Sequence, residues 1–463
     1  MDTKLHQNNL SYLEAMAISV AIMAPTAAMA LNGSLAASIA GTAVPLTFLL
    51  AMITIGLVSY AFIQFNKYVS SSGSVYAFTA ASLGPKVGFL SGWCLLFTYL
   101  MFTAASSAEI GAFFQTFLGD LGVNIGWFPI AVLCALIIWT LSYMDVRVSA
   151  RLMLTLEGIS VILILILTAV ILGRGGATHH LTAFPLTLGH NSFSTVALAS
   201  VFAFLSFAGF EGASSLGEET KDPTKAIPIA IGAAVFLTGI FYILVSYAQS
   251  VGFGMSDSGV KAFASSSAPL SDLAKTYMST AFAAMIMFGA AISAFSSALG
   301  TATTGSRLLY SMGRDGFVSL KLGSVHHKFR SPYIALAVVM VIALVLMSAL
   351  SGHAGTDVFG YLGTIGVLSL LLAYLTTNIG AIAYFTKRRL HSVTLFTVPV
   401  LAVIALGYTL YSNVFPTPPA PYNYFPYMVI AWIVVGGLIV FLSPNLAHNI
   451  ARRFVDENDI STD

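Results

Sequence analysis

Apolar runs of about 20 residues recur along the whole chain, and that repetition leaves few folds open. A run of this length is what a helix needs to cross a bilayer. The strands of a membrane barrel would instead alternate in segments of about ten residues. Of the 463 residues, 57% are hydrophobic and only 8% are charged, whereas a soluble domain carries about 25% charged residues. The sequence therefore reads as one all-α, polytopic integral membrane protein. Twelve transmembrane spans are expected, at 13–40, 43–65, 86–117, 126–143, 150–172, 194–217, 225–251, 277–310, 332–350, 357–385, 394–413 and 424–443.

Loop charge sets the orientation. With the N-terminus inside, 17 of the 20 Lys and Arg fall on the cytoplasmic side, and only Arg174, Lys261 and Lys275 fall outside. That asymmetry is the positive-inside pattern, and it places segments 1–12 and 444–463 in the cytoplasm and the spans in the plasma (inner) membrane. A net charge of +2 gives no case for nucleic acid. Cys94 and Cys134 both fall inside spans, so no disulfide framework is implied. The first span lacks the short apolar core and small-residue cleavage site of a signal peptide. In the outer loop Gly252 to Lys275, the segment Ala268 to Met278 reads as a short helix.

Two spans carry a break near their middle. Span 6 runs into Phe207-Ala208-Gly209-Phe210-Glu211-Gly212. Glycine weakens a helix interior by about 1 kcal/mol, and a carboxylate at bilayer depth costs at least ~2.5 kcal/mol. Span 1 carries Pro25 near its centre and Asn32-Gly33 further out. Proline removes a backbone donor and clashes with the preceding turn. Broken helices persist in membranes only where the freed backbone groups are buried in protein or line a cavity. Breaks at corresponding positions of two halves, five spans apart, point to an inverted-repeat transporter with its site between them.

Apart from Glu14 and Asp357 at span ends, three of the 18 acids lie inside spans: Glu109, Glu157 and Glu211. No Lys or Arg lies at comparable depth, which makes them proton-relay or cation-site candidates, or acids held by hydrogen bonds to a neighbouring helix. On span 3, Tyr99, Thr103 and Ser106 share one helix face, as interhelical glue or as a cavity wall. Span 8 carries Ser293, Ser296, Ser297, Thr301, Thr303 and Thr304 in a small-residue run, suited to close packing or to supplying oxygen ligands. All nine histidines fall in loops or at span ends, which argues against a metal-dependent membrane enzyme. No cofactor, metal or ATP-binding loop is indicated.

Motifs then carry a resemblance. They are Ser72-Gly73-Ser74-Val75-Tyr76-Ala77-Phe78 with Gly84-Pro85, and Phe207-Ala208-Gly209-Phe210-Glu211. Further on come Glu218-Glu219-Thr220 with Asp222-Pro223 and Ile227-Pro228, and Ser306-Arg307-Leu308-Leu309-Tyr310 with Gly313-Arg314-Asp315-Gly316. The last is Lys328-Phe329-Arg330-Ser331-Pro332. In this order they resemble the amino acid–polyamine–organocation superfamily of secondary transporters, from about Leu10 to Leu442.

The resemblance implies a LeuT-type fold. Its two inverted five-helix repeats would span 13–172 and 194–385, with peripheral spans in 394–443. It also implies a substrate site between the broken spans, against spans 3, 8 and 10. The matching positions are Ala24, Pro25, Thr26, Ala27 and Ala28 of span 1, and Phe204, Phe207, Ala208 and Gly209 of span 6. Tyr99, Thr103 and Ser106 would face it from span 3, and Thr301 from span 8. In two respects the chain departs from common members. Its span 1 break lacks glycine and is more similar to a putrescine-permease-like branch. A span 5 lysine found in some proton-coupled members is matched by Ser160, while Ser296 and Ser297 match a sodium-holding hydroxyl pair.

The expectation is a transporter, not an enzyme, importing an amino acid or related small amine by alternating access. Protons would be the coupling ion, with Glu211 and Glu157 as leading carriers. A polyamine permease or exchanger, and a sodium symporter using Ser160, Ser296 and Ser297, remain alternatives. So does a channel or membrane sensor on the same scaffold.

Overall fold

In a computed structural model the chain is described over residues 12–68, 75–144, 148–216, 220–314, 316, 318–329, 331–390, 392–415 and 417–442. Segments 1–11 and 444–463 lie outside that description. So do Ser72, Gly73, Ser74, Arg147, Glu218, Glu219, Asp315, Arg330, His391, Arg452 and Arg453. Among the described residues every regular element is a helix.

Span 1 is two helices, α1 (Tyr12–Met23) and α2 (Pro25–Ala40). Then follow α3 (Val44–Asn66), a short α4 (Val75–Leu83), α5 (Pro85–Asp120), α6 (Trp127–Tyr143) and α7 (Val148–Gly173). Span 6 is α8 (Phe193–Phe207) followed by a 3₁₀ turn, Phe210–Leu216. The remainder is α9 (Pro223–Phe253), α10 (Asp257–Ser265), α11 (Pro269–Tyr277), α12 (Thr280–Arg314), α13 (Tyr333–Ala349), α14 (Gly355–Lys387), α15 (Val393–Ser412) and α16 (Phe425–Leu442).

Among the described residues, eight stretches are long and apolar enough to cross a membrane. The first, Tyr12–Tyr68, contains the two expected spans 1 and 2. Three shorter apolar helices, α6, α8 and α13, stand at the other expected positions. The outer-loop helix expected near Ala268 is α11, and it has a neighbour, α10, that the sequence reading did not separate. Lys275 on α11 pairs with Asp120 at the end of α5, at 2.7 Å. The segment before span 3 also forms a helix, α4, closed by Gly84 at φ 97°, where Pro85 opens α5.

Burial sorts the helices by role. The apolar window of α5 is 89% buried and that of α16 only 17%. Small residues explain the first: Ala104, Ala105, Ser107, Ala108 and Gly111 let other helices approach closely, and α5 packs on both α12 and α14. The side chains of α16 that point outward, Tyr427 and Phe441 among them, are large and apolar, as a lipid-facing helix requires. Cross-links between helices are specific. Trp93 on α5 and Trp432 on α16 stack at 4.3 Å, and each indole N–H donates to the other's backbone carbonyl at 2.9 Å.

Candidate functional site

The site is built where the two broken spans touch. Pro25 has no N–H to continue α1 and its ring collides with the preceding turn, so the helix stops at Met23. Ala24 turns in the left-handed region at φ 45°, ψ 65°, and α2 restarts. The restart leaves N–H groups without helical partners. Thr26 N–H donates to Glu157 Oε1 of α7 at 2.8 Å, and Ala27 N–H donates to Ser293 Oγ of α12 at 3.2 Å.

Span 6 breaks by other means. Its helix ends at Phe207, Ala208 is extended, and Gly209 takes φ 104°. That conformation favours glycine, and there is a second reason for it. A Cβ at Gly209 would run into Ile22 Cγ2 of α1. The two breaks therefore interlock, with Ile22 seated against Gly209, Gly212 and Gly300.

The freed groups of span 6 are also satisfied from inside the protein. Gly209 N–H donates to Glu211 Oε2 at 3.2 Å. Tyr374 of α14 donates to the same oxygen at 2.6 Å, and Tyr99 of α5 donates to Glu211 Oε1 at 3.1 Å. Tyr242 of α9 donates to the Ser206 carbonyl at 2.7 Å. Ser19 Oγ donates to the Phe210 carbonyl at 2.9 Å and accepts from Ala213 N–H at 3.1 Å. Buried backbone groups need such partners, and here they come from Glu211 of the same span, Tyr242 of α9 and Ser19 of α1.

Between the breaks lies a cavity of about 30 Å³, walled by the ends of α1, α2 and α8 and by α5, α12 and α14. Of the residues expected at a substrate site, Ala24, Ala27, Ala28, Ser106 and Ala208 line it. Glu109 and Ser297, expected as coupling and ion-site groups, line it as well. Ser106 Oγ and Ser297 Oγ share a hydrogen bond of 3.2 Å.

Other expected residues stand behind this wall. Pro25 and Thr26 form the break itself. Gly209 packs on Ile22. Phe204 and Phe207 are core, with the Phe207 ring edge-on to Tyr242 at 5.0 Å. Tyr99 holds Glu211, and Thr103 meets Thr301 hydroxyl to hydroxyl at 3.3 Å. Of the three hydroxyls of the sodium alternative, Ser297 lines the cavity. Ser160 donates to the Leu156 carbonyl at 2.9 Å, and Ser296 to the Ile292 carbonyl at 3.1 Å.

The structure adds lining residues that sequence reasoning missed: Ile22, Met23, Asn32, Phe102, Ala105, Leu205 and Phe359. Asn32 had a legible signal, being an amide inside a span. With Gly33 it reads as part of the span 1 interruption, yet α2 runs through it unbroken. Its Nδ2 donates to Ser206 Oγ at 2.7 Å, while its Oδ1 is buried without a partner. Glu109 Oε1 is likewise buried and unpartnered. No signal in the sequence distinguished Phe359 from its apolar neighbours on α14.

Residues 14–449 match the family model for amino acid permeases. The chain belongs to the amino acid permease family. Its relatives are consistent with that assignment. It is 26% identical to the methylthioribose transporter of Bacillus subtilis (strain 168), across 94% of this chain and 92% of the relative. It is 25% identical to the low-affinity putrescine importer PlaP of Escherichia coli (strain K12), across 76% and 73%. It is 28% identical to the branched-chain amino acid permease BcaP of Bacillus subtilis (strain 168), across 64% and 65%. The family and these relatives are transporters rather than enzymes, and the permease is a multi-pass membrane protein of the superfamily whose fold is LeuT-type.

Proposed function

We propose that this permease imports an amino acid or a related small amine across the plasma membrane by alternating access, with protons as the coupling ion. The observation that carries the reading is the meeting of two broken, internally capped helices at one buried cavity holding Glu109. The solutes in the relatives' names, methylthioribose, putrescine and branched-chain amino acids, are all small and polar.

A cavity of about 30 Å³ has room for a water or two. Pockets for small organic ligands run to roughly 300–1,000 Å³. A substrate therefore enters only if the helices around the cavity separate, which is what alternating access provides. A channel would show a continuous polar file, whereas Phe102, Leu205 and Phe359 put large apolar side chains into the wall of this cavity.

The inverted repeats are proposed as 13–172 and 194–385, with 394–443 peripheral. Helix pairing supports the division. Span 1 packs on span 6, α3 on α9, α5 on α12 and α6 on α13, each helix against the one five spans on. Both termini are proposed to be cytoplasmic. Engineered cysteines at 387–389 then label from the cytoplasm and those at 179–190 from outside, and labelling of both from one side would overturn this topology.

Among the three acids, hydrogen bonding favours Glu157 and Glu109 as proton carriers. Both oxygens of Glu211 are occupied by donors from three places, which fits a strut. Glu157 Oε2 and Glu109 Oε1 are free of partners. Purified protein in liposomes tests the whole reading. An alkaline interior should drive accumulation of labelled amine or amino acid, abolished by a protonophore and indifferent to replacing Na⁺ with choline. Accumulation driven by a Na⁺ gradient alone would transfer coupling to sodium. Equilibration without accumulation under either gradient would make the protein an exchanger or a channel.

A further inference from the structure

We infer that the adjoining ends of α3 and α14 form a binding site for the headgroup of an anionic phospholipid. Such a site lies at the membrane boundary and does not depend on what the permease carries.

Two apolar stretches end there, Tyr12–Tyr68 and Gly355–Lys387, which sets their last residues at headgroup level. Aromatic contacts hold the two ends together. Tyr68 packs on Tyr384 and Phe385 with ring centroids 6.5 and 6.1 Å apart, and Phe65 packs on the same two rings at 5.4 and 5.8 Å. Four exposed cations belong to these ends: Lys67, Lys387, Arg388 and Arg389. The Arg388 guanidinium lies over the Tyr384 ring at 4.8 Å, and Lys387 Nζ donates to the Ser82 carbonyl of α4 at 3.1 Å. No Asp or Glu occurs in residues 15–108 or 358–455. The one acid of α14, Asp357, stands at the opposite end of that helix.

Cations at a helix C-terminus complement its dipole, and cations beyond a span set its orientation. Those reasons account for Lys387 and Arg388 but not for Arg389. Helix α14 closes in a Schellman motif: Arg389 N–H donates to the Thr386 carbonyl at 3.1 Å and Leu390 N–H to the Phe385 carbonyl at 3.2 Å. Arg389 there takes φ 52°, the left-handed position that glycine fills without strain. An arginine kept against its backbone preference points to a use for its side chain. A phosphodiester offers an anion whose oxygens match the guanidinium fork. Groups of four or more cations just beyond a span attract anionic headgroups. Helix α15 packs on both α3 and α14. Exposed side chains on α3 and α15, among them Ile53, Val393 and Ile404, are apolar, as acyl chains require.

The test reads the melting temperature of the purified full-length protein in detergent with added phosphatidylglycerol or phosphatidylcholine. Phosphatidylglycerol should raise it by several degrees more. Arg389→Gly removes a cation and relieves the strained backbone. It should therefore melt higher than the wild type in phosphatidylcholine and yet gain less from phosphatidylglycerol. Combining it with Lys67→Gln and Arg388→Gln should remove nearly all of that gain. Lys321→Gln, an exposed cation of the 3₁₀ turn Leu320–Gly323, should leave the gain intact. No advantage of phosphatidylglycerol over phosphatidylcholine, or an undiminished gain in Arg389→Gly, would overturn the site. An equal loss in Lys321→Gln would do so too, since the effect would then follow net charge. An equal rise from inorganic phosphate alone would make this a free-anion site and overturn the lipid. If the triple variant does not fold, Arg389→Gly decides by itself. Uptake is not read, so a failure of the transport reading leaves this result standing.

Discussion

The break in span 1 and the break in span 6 face each other across Ile22, and they are held by different devices. At span 1 the cap is supplied by other helices: Glu157 from α7 and Ser293 from α12 reach the N–H groups of Thr26 and Ala27. At span 6 the cap on the Gly209 N–H is local, although Ser19 of α1 and Tyr242 of α9 serve its other freed groups. Glu211 folds back on Gly209 two residues earlier, and Tyr99 and Tyr374 fix its carboxyl in place. The difference bears on motion. A cap borrowed from another helix is lost whenever the two helices separate, whereas a cap within one turn travels with it. On the proposed alternating-access reading, span 1 would be the break whose polar groups are re-partnered as the bundle opens, and span 6 the one that keeps its shape. Glu157, with one oxygen unpartnered, sits at the changeable junction.

The largest expected effect strikes the contact between the breaks. Gly209→Ala places a Cβ into Ile22 at a backbone φ of 104°. Uptake should fall to background, with a stability loss of about 1–3 kcal/mol measured by thermal unfolding. Adding Ile22→Ala relieves the collision and not the backbone strain, so only part of the loss should return. Full activity in Gly209→Ala would mean that the breaks need no close contact.

Next comes the contrast between the two caps. Wild-type uptake should rise as the outside is acidified. Glu157→Gln should flatten that dependence and abolish accumulation against a gradient, while counterflow exchange survives. Glu211→Gln keeps most of its hydrogen bonds and should retain the wild-type pH profile. The opposite pattern in paired pH–uptake curves would exchange the two roles and make span 6 the changeable junction.

Smaller effects probe the local cap. Tyr374→Phe removes the 2.6 Å bond to Glu211 and should lower stability by about 1.5–3 kcal/mol, as for a hydrogen bond to a charged group. Tyr99→Phe, losing a longer bond of 3.1 Å, should lie at or below the low end of that range. Equal losses would show that the two tyrosines share the carboxyl evenly. The smallest change is expected for Thr103→Val, whose interhelical contact with Thr301 should be worth about 0.6 kcal/mol. Uptake should be nearly unchanged, since neither hydroxyl lines the cavity.

Much of this arrangement is legible in the residues. Apolar run length marks the spans because a bilayer leaves a chain little choice but to pair its own backbone groups in helices. Pro25 and Gly209 mark the breaks because each states a local backbone rule. The site proper is less legible. Glu109, Glu157 and Glu211 look alike in sequence, three acids at bilayer depth without a basic neighbour. Only their neighbours separate them: two tyrosines and a glycine N–H around Glu211, a helix end beside Glu157, and a cavity beside Glu109. Tyr99, Thr103 and Ser106 share a helix face as their spacing requires. That face meets three different partners along its length, and only Ser106 reaches the cavity.

The sequence by itself determined an all-helical membrane protein, its span positions and the two places where helices must stop. Those follow from hydropathy and from backbone rules that act within one turn. The tertiary structure alone decided which freed N–H groups are already capped and which acceptors, Glu109 Oε1 and Asn32 Oδ1, remain open. These depend on contacts such as Glu157 with Thr26, 131 residues apart in sequence, and Tyr374 with Glu211, 163 apart. No local pattern encodes such pairs, because hydrogen bonding at the site is settled by which helices pack together.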